Sequence, residues 1–210
     1  MKVAEKTLEL SLCAQLSSVF VPSGWAKMRL WEPVWFGLTQ AQEARAGFDA
    51  GMRLPGGICI LLQFKRGRRR TDGRIHFDAQ HHQLIALTER VNSRRRCVYY
   101  VLPSVTNTNE LNNGQIALLD STWFLDVAEI PRLEAPSRKS EKHQFLLNPK
   151  DGVVEIRSNP VFVQARSGRS VASDLRAREG LVSFESFSEM WEIANLLGRK
   201  SVGAILGRNV

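Results

Sequence analysis

Leu8, Leu12, Leu16 and Val19 recur three or four positions apart among polar residues, so the chain is predicted to open with an amphipathic helix over residues 5–20. Pro22-Ser23-Gly24 ends it. The pattern then turns to short apolar runs: 34–38, a second over 48–54, and the continuous Ile58-Cys59-Ile60-Leu61-Leu62-Gln63-Phe64, which has the length and composition of a buried strand. Pro55-Gly56-Gly57 supplies turn chemistry between the second and third runs and makes them a hairpin. Residues 78–92 carry Leu84, Leu87 and Val91 at helical spacing, and residues 97–102 follow as another buried strand, stopped by Pro103. Helix, three strands, helix, strand is an α/β order, implying a mixed central sheet flanked by helices.

Beyond residue 103 the pattern thins. Residues 121–130 and 144–147 read as extended, 149–152 as a turn, and 153–156 with 161–163 as the rest of a small β region. Ser186 and Glu189 form a capping box ahead of a closing helix whose inner face would hold Phe187, Met190, Trp191, Ala194 and Leu197. Residues 135–142 and 167–178 read as linkers. The expected organisation is a core over residues 1–103 and a C-terminal α+β extension over residues 104–210, packed on that core.

Composition narrows the class. With 210 residues, 43% of them hydrophobic, the chain can fill one sizeable core. No run approaches the roughly 18 apolar residues that cross a bilayer, and charges interrupt the N-terminal stretch MKVAEKTLEL, so no membrane role and a cytoplasmic protein are expected. The cysteines (Cys13, Cys59, Cys97) are odd in number and lack CxxC spacing, which argues against a zinc site or a disulfide framework.

A formal net charge of +8 favours a polyanionic partner. The cations are concentrated: Lys65, Arg66, Arg68, Arg69 and Arg70 fall within six residues, Arg74 follows, and Arg94, Arg95 and Arg96 form a second group. Such a run is ordinarily a solvated loop. Here it directly follows a strand carrying candidate chemistry.

If the hairpin pivots on Gly56, residues whose numbers total 112 face each other, so Asp49 lies opposite Gln63 and Gly47 opposite Lys65. Opposed β-carbons stand about 5 Å apart, and residues two apart share a face. Asp49, Gln63 and Lys65 would converge on one patch, with Phe64 pointing into the core. A carboxylate and an amide oxygen at that spacing can hold a hard divalent cation, and an adjacent ammonium can orient an attacking water.

This constellation resembles the PD-(D/E)xK superfamily, the restriction-endonuclease-like nucleases, and in particular the Mrr type, in which glutamine commonly stands in the last motif. The likeness covers roughly residues 5–103. It implies a restriction-endonuclease-like core, Asp49 and Gln63 as ligands of Mg²⁺ or Mn²⁺, and Lys65 as the catalytic lysine. The family usually adds a glutamate from the first helix: Glu9 is the best match, with Glu5 one turn earlier, while Glu43 competes because it precedes Asp49 by six residues. Glutamine at 63 removes a negative charge and leaves room for a silent descendant.

Arg66, Arg68, Arg69 and Arg70 would hold the substrate backbone, and Gln80 stands out in the polar cluster with His76, His81, His82 and Gln83, because a helix starting there would begin beside Lys65. Trp25, Trp31 and Trp35 read as packing, and Asp120, Asp126 and Glu129 as structural residues. The expected activity is metal-dependent endonuclease cleavage of nucleic acid, DNA more than RNA, with a role in defence against foreign DNA implied by the family. Cutting both strands would call for a homodimer, and a larger defence complex is a further implied partner. A catalytically silent nucleic-acid-binding module and a protein-interaction module are the competing expectations.

Overall fold

A computed structural model of the chain describes residues 3–19, 34–39, 43, 46–53, 59–91, 98–112, 117–136 and 141–177. The closing helix expected around Ser186 and Glu189, Trp25, Trp31, Cys97 and the Arg94–Arg96 group lie outside the described residues.

The opening helix spans Glu5–Ser18 (α1) and buries Leu8, Leu12 and Leu16, as their spacing requires. Three antiparallel strands follow, Val34–Gly37 (β1), Ala50–Arg53 (β2) and Cys59–Phe64 (β3). Every β2–β3 pair, from Ala50↔Leu62 to Arg53↔Cys59, totals 112, the register expected of a turn centred on Gly56. Strand Val98–Pro103 (β6) runs parallel to β3, which demands a long crossover between them.

That crossover departs from the expectation. Residues 78–80, read from sequence as the start of a helix, end a strand, Ile75–Gln80 (β5), and the helix begins at His81, spanning His81–Arg90 (α2). Ile75, Phe77 and Ala79 are buried while His76, Asp78 and Gln80 take the other face, and this period of two overrides the apolar spacing that starts at Leu84. The arginine run is no simple loop either, since Arg68–Arg69 (β4) pairs with β5 at a sheet edge. Gly67 lies against Ile75 and Phe77, where a β-carbon would come within 2.4 Å of the Ile75 side chain.

Short helix Thr108–Asn112 (α3) leads to Thr122–Asp126 (β7), then Lys142–Leu147 (β8), Val153–Ile156 (β9), Val161–Gln164 (β10), Arg166–Ser167 (β11) and Gly168–Ala177 (α4). The stretch 167–178, expected to be a linker, is thus mostly helix: Leu175 follows Val171 by four residues and Ala172 by three, and all three bury together. Residues 127–129 turn out of the extended run expected over 121–130 as a 3-10 helix, capped where the Asp126 carboxylate accepts the Ala128 N–H.

Two sheets result, a mixed one in the order β1-β2-β3-β6-β7-β11 and an antiparallel one in the order β10-β9-β8-β5-β4. This is an α/β architecture. The division at residue 103 coincides with no division between sheets, because β7 and β11 complete the first while β4 and β5 belong to the second. One face of the mixed sheet, with Met52, Ile60, Leu62, Phe64 and Tyr99, packs against α1 and α4. The other, with Leu61, Tyr100 and Leu102, packs against α2 and the apolar face of the second sheet. Burial on both faces explains why β3 and β6 read as continuous apolar runs. No helix among the described residues is long and apolar enough to cross a membrane.

Candidate active site at Asp49, Gln63 and Lys65

Asp49 stands one residue before β2, and its N–H donates to the Leu62 carbonyl at 3.0 Å, extending the ladder. Gln63 and Lys65 lie on and just past the end of β3, on the face opposite Phe64, which packs beside α1. The register therefore brings Asp49 and Gln63 together: the Gln63 amide donates to Asp49 Oδ2 at 2.7 Å, and the Phe64 N–H donates to the same oxygen at 2.6 Å. Gly47, expected opposite Lys65, instead leaves the ladder with φ of 80°, and packs on α2. It ends the turn begun at Glu43, whose carbonyl accepts the Gly47 N–H.

All three site side chains are buried, at 8%, 1% and 8% exposure for Asp49, Gln63 and Lys65. Burial pushes the Asp49 carboxyl up to about 7, against the pull of the Phe64 N–H and Lys65, and Glu5 and Glu43 repel it further. Desolvation likewise lowers the Lys65 ammonium, partly offset by Glu5 and Asp49. Burial thus shifts both groups toward their neutral forms, a kind of perturbation that clusters at functional sites.

The acids expected to complete the site lie on α1 and in the turn before Asp49. Glu9 is buried on α1 and held by Lys6 at 2.6 Å, and it acts electrostatically on Glu43. Glu43 is half-buried, its carboxyl raised first by desolvation. Glu5, one turn before Glu9, meets the end of the strand: its Oε2 accepts the Arg66 N–H at 2.8 Å. The N–H groups of residues 64 and 66 point to the same side of the strand, so the Asp49 and Glu5 carboxylates follow each other along its edge, flanking Lys65.

Gln80 ends β5 on the face shared with His76 and Asp78, and the helix residue that meets Lys65 is Gln83, whose Oε1 accepts from Nζ at 2.8 Å. The arginines are engaged with acids: Arg68 with Asp78 at 2.8 Å, Arg69 with Glu110 at 3.6 Å, and Arg70 with Asp72 at 3.8 Å. Such exposed pairs hold weakly, by about 0–1 kcal/mol, and a phosphate can displace the acid. The Arg66 side chain is exposed beside Lys65, with no acidic partner among the described residues. Trp35 donates to Ser17 Oγ at 2.6 Å, and Asp120 pairs with Arg169.

Among the described residues no group of three His, Cys, Asp or Glu side chains is arranged to hold a metal ion. An amide oxygen lies outside that tally: Gln63 Oε1 is buried without a hydrogen-bond partner, while the Nε2 of the same amide is the atom that meets Asp49. A buried acceptor left orphaned costs roughly 1–3 kcal/mol, which a cation at that position would recover. The donor set, one carboxylate and one amide oxygen with further acids nearby, suits a hard divalent cation. No protein-family model, curated protein or solved structure matches the chain.

Proposed function

We propose that this chain is a divalent-metal-dependent nuclease built on a restriction-endonuclease-like core, hydrolysing phosphodiester bonds in DNA. The observation that carries this reading is the orphaned Oε1 of the buried Gln63 amide, whose Nε2 meets the Asp49 carboxylate, with Lys65 two residues on and on the same face. The order α1, β1, β2, β3, α2, β6, interrupted by β4 and β5 between β3 and α2, with β6 parallel to β3, supports it, because the candidate site then falls at the carboxyl end of the parallel pair, where α/β sheets commonly bind ligands.

Asp49 and Gln63 would hold Mg²⁺ or Mn²⁺, with Glu5, Glu43 or Glu9 adding charge. The bound cation supplies a Lewis acid against the negative charge that develops on the phosphate. Lys65 holds a water or a phosphate oxygen by its remaining N–H donors. Phe64 N–H and the Gln63 amide fix the Asp49 carboxylate in place. Arg66 offers a phosphate contact at the mouth of the site.

A second reading, a catalytically silent nucleic-acid-binding module, is favoured by the direct Gln63–Asp49 hydrogen bond, which satisfies part of the carboxylate without metal. Incubating the protein with plasmid and linear DNA in Mg²⁺, Mn²⁺ or EDTA separates the two. Cleavage that requires metal is expected; DNA binding with no cleavage under any condition supports the silent module.

A further inference from the structure

Lys65 is almost fully buried beside a carboxylate that attracts it, yet its hydrogen bond goes elsewhere. The ammonium donates to Gln83 Oε1 at 2.8 Å and lies 6.0 Å from the centre of the Tyr100 ring, while Asp49 Oδ2 is taken up by Gln63 and the Phe64 N–H. A flexible lysine in a buried setting would ordinarily close on a neighbouring carboxylate as an ion pair, because the attraction strengthens as water is excluded. A neutral acceptor across the site holds it off without adding charge.

Gln83 is well placed for this. It is the third residue of α2, and the start of that helix is anchored where the His81 N–H donates to the Glu141 carbonyl at 2.7 Å. Its own carbonyl lies 3.1 Å from where a β-carbon on Gly47 would sit, so the helix rests against the turn that leads to Asp49. One residue thus touches the Asp49 segment through its backbone and Lys65 through its side chain.

We propose that Gln83 is the positioning residue of this site: resting on the nuclease reading, it holds Lys65 Nζ away from Asp49, keeping the carboxylate for a divalent cation and the ammonium for water or phosphate. Losing the acceptor lets Lys65 collapse onto Asp49, which slows turnover and weakens cation binding together. Packing alone predicts neither.

The test compares Q83M, which keeps length and volume but loses the amide acceptor, with Q83E, which keeps an acceptor oxygen. Q83M should turn over about ten- to a hundredfold more slowly, as expected for losing a hydrogen bond to a charged group, and need more Mn²⁺ for half-saturation in a direct titration. Q83E, which still accepts from Lys65 but adds a charge, should recover part of the turnover. Wild-type turnover and Mn²⁺ affinity in Q83M would overturn the proposal. A second measurement needs no activity: the melting-temperature losses of Q83M and K65M, taken singly and together, should be non-additive, and additive losses would also overturn it. Non-additive losses in a protein that never cleaves DNA would sink the nuclease reading while leaving Gln83 as the residue that holds Lys65.

Discussion

Replacing Asp49 by asparagine should stabilise the metal-free protein, and the size of the gain should depend on pH in a defined way. Asparagine keeps an acceptor oxygen for the Phe64 N–H and the Gln63 amide but carries no charge. The folded-state carboxyl is raised to about 7 from its ordinary 3.8, so folding favours the protonated acid. Below the unfolded value both states are protonated and nothing is lost. As pH rises through the window between the two values, ionising Asp49 costs the folded state progressively more, and above about 7 the cost levels off. Three units at about 1.4 kcal/mol each put that plateau at about 4 kcal/mol. In a domain of this size that is a melting-temperature gain on the order of 10 °C at pH 8. At pH 4 it should shrink below about 1 kcal/mol. Thermal and urea melts of wild type and D49N in EDTA across this range make the comparison. Mg²⁺ should then stabilise wild type and leave D49N unmoved, because a ligand stabilises only the state that binds it. A D49N protein no more stable than wild type at pH 8, or equally advantaged at pH 4, would refute the account of Asp49 as a buried, repelled carboxylate.

Three further outcomes are expected. Gln63→Glu sets a second carboxylate where the amide now donates to Asp49 at 2.7 Å, so the melting temperature should fall in EDTA, and the cation concentration for half-maximal cleavage should fall too; a rise in that concentration would mean that side chain 63 faces away from the cation. Gly47→Ala forces a left-handed φ on a residue with a β-carbon and pushes it to 3.1 Å from Ala86, so a loss of about 1–2 kcal/mol or more is expected in urea melts, and an unchanged midpoint would show that α2 does not rest on this turn. Replacing Arg68, Arg69 and Arg70 together by serine should weaken DNA binding for all sequences alike and flatten the slope of log affinity against log salt by up to about 2.7 on duplex DNA. An unchanged slope would make these residues partners of Asp78, Glu110 and Asp72 and nothing more.

Much of the site was legible because it is local. A Gly-rich turn between two apolar runs defines a register, and the register alone brings Asp49 to Gln63 and sends Phe64 to the other face. The helix contributions were harder to read. Glu5 and Glu9 are one turn apart on α1, and which carboxylate reaches the strand end depends on how far the helix slides along the sheet, a packing outcome that periodicity does not encode. Gln83 rather than Gln80 meets Lys65 because the alternation of Ile75, Phe77 and Ala79 carries the strand to Gln80 and starts the helix at His81, one residue pattern giving way to another where both are polar. In α4, Ser170, Ser173 and Asp174 mask the buried Val171, Ala172 and Leu175. The hydrogen bond of 2.8 Å between His81 and His143 joins residues 62 positions apart, and no local pattern marks such a pair.

The central claim, that Asp49, Gln63 and Lys65 form a metal-dependent phosphodiesterase site, is tested most directly by cleavage of supercoiled plasmid by wild type and D49A protein, purified alike and matched in circular dichroism. Nicking or linearisation by wild type in Mg²⁺ or Mn²⁺, abolished by EDTA and absent from D49A in every condition, is the predicted result. Undiminished cleavage by a well-folded D49A protein would contradict it.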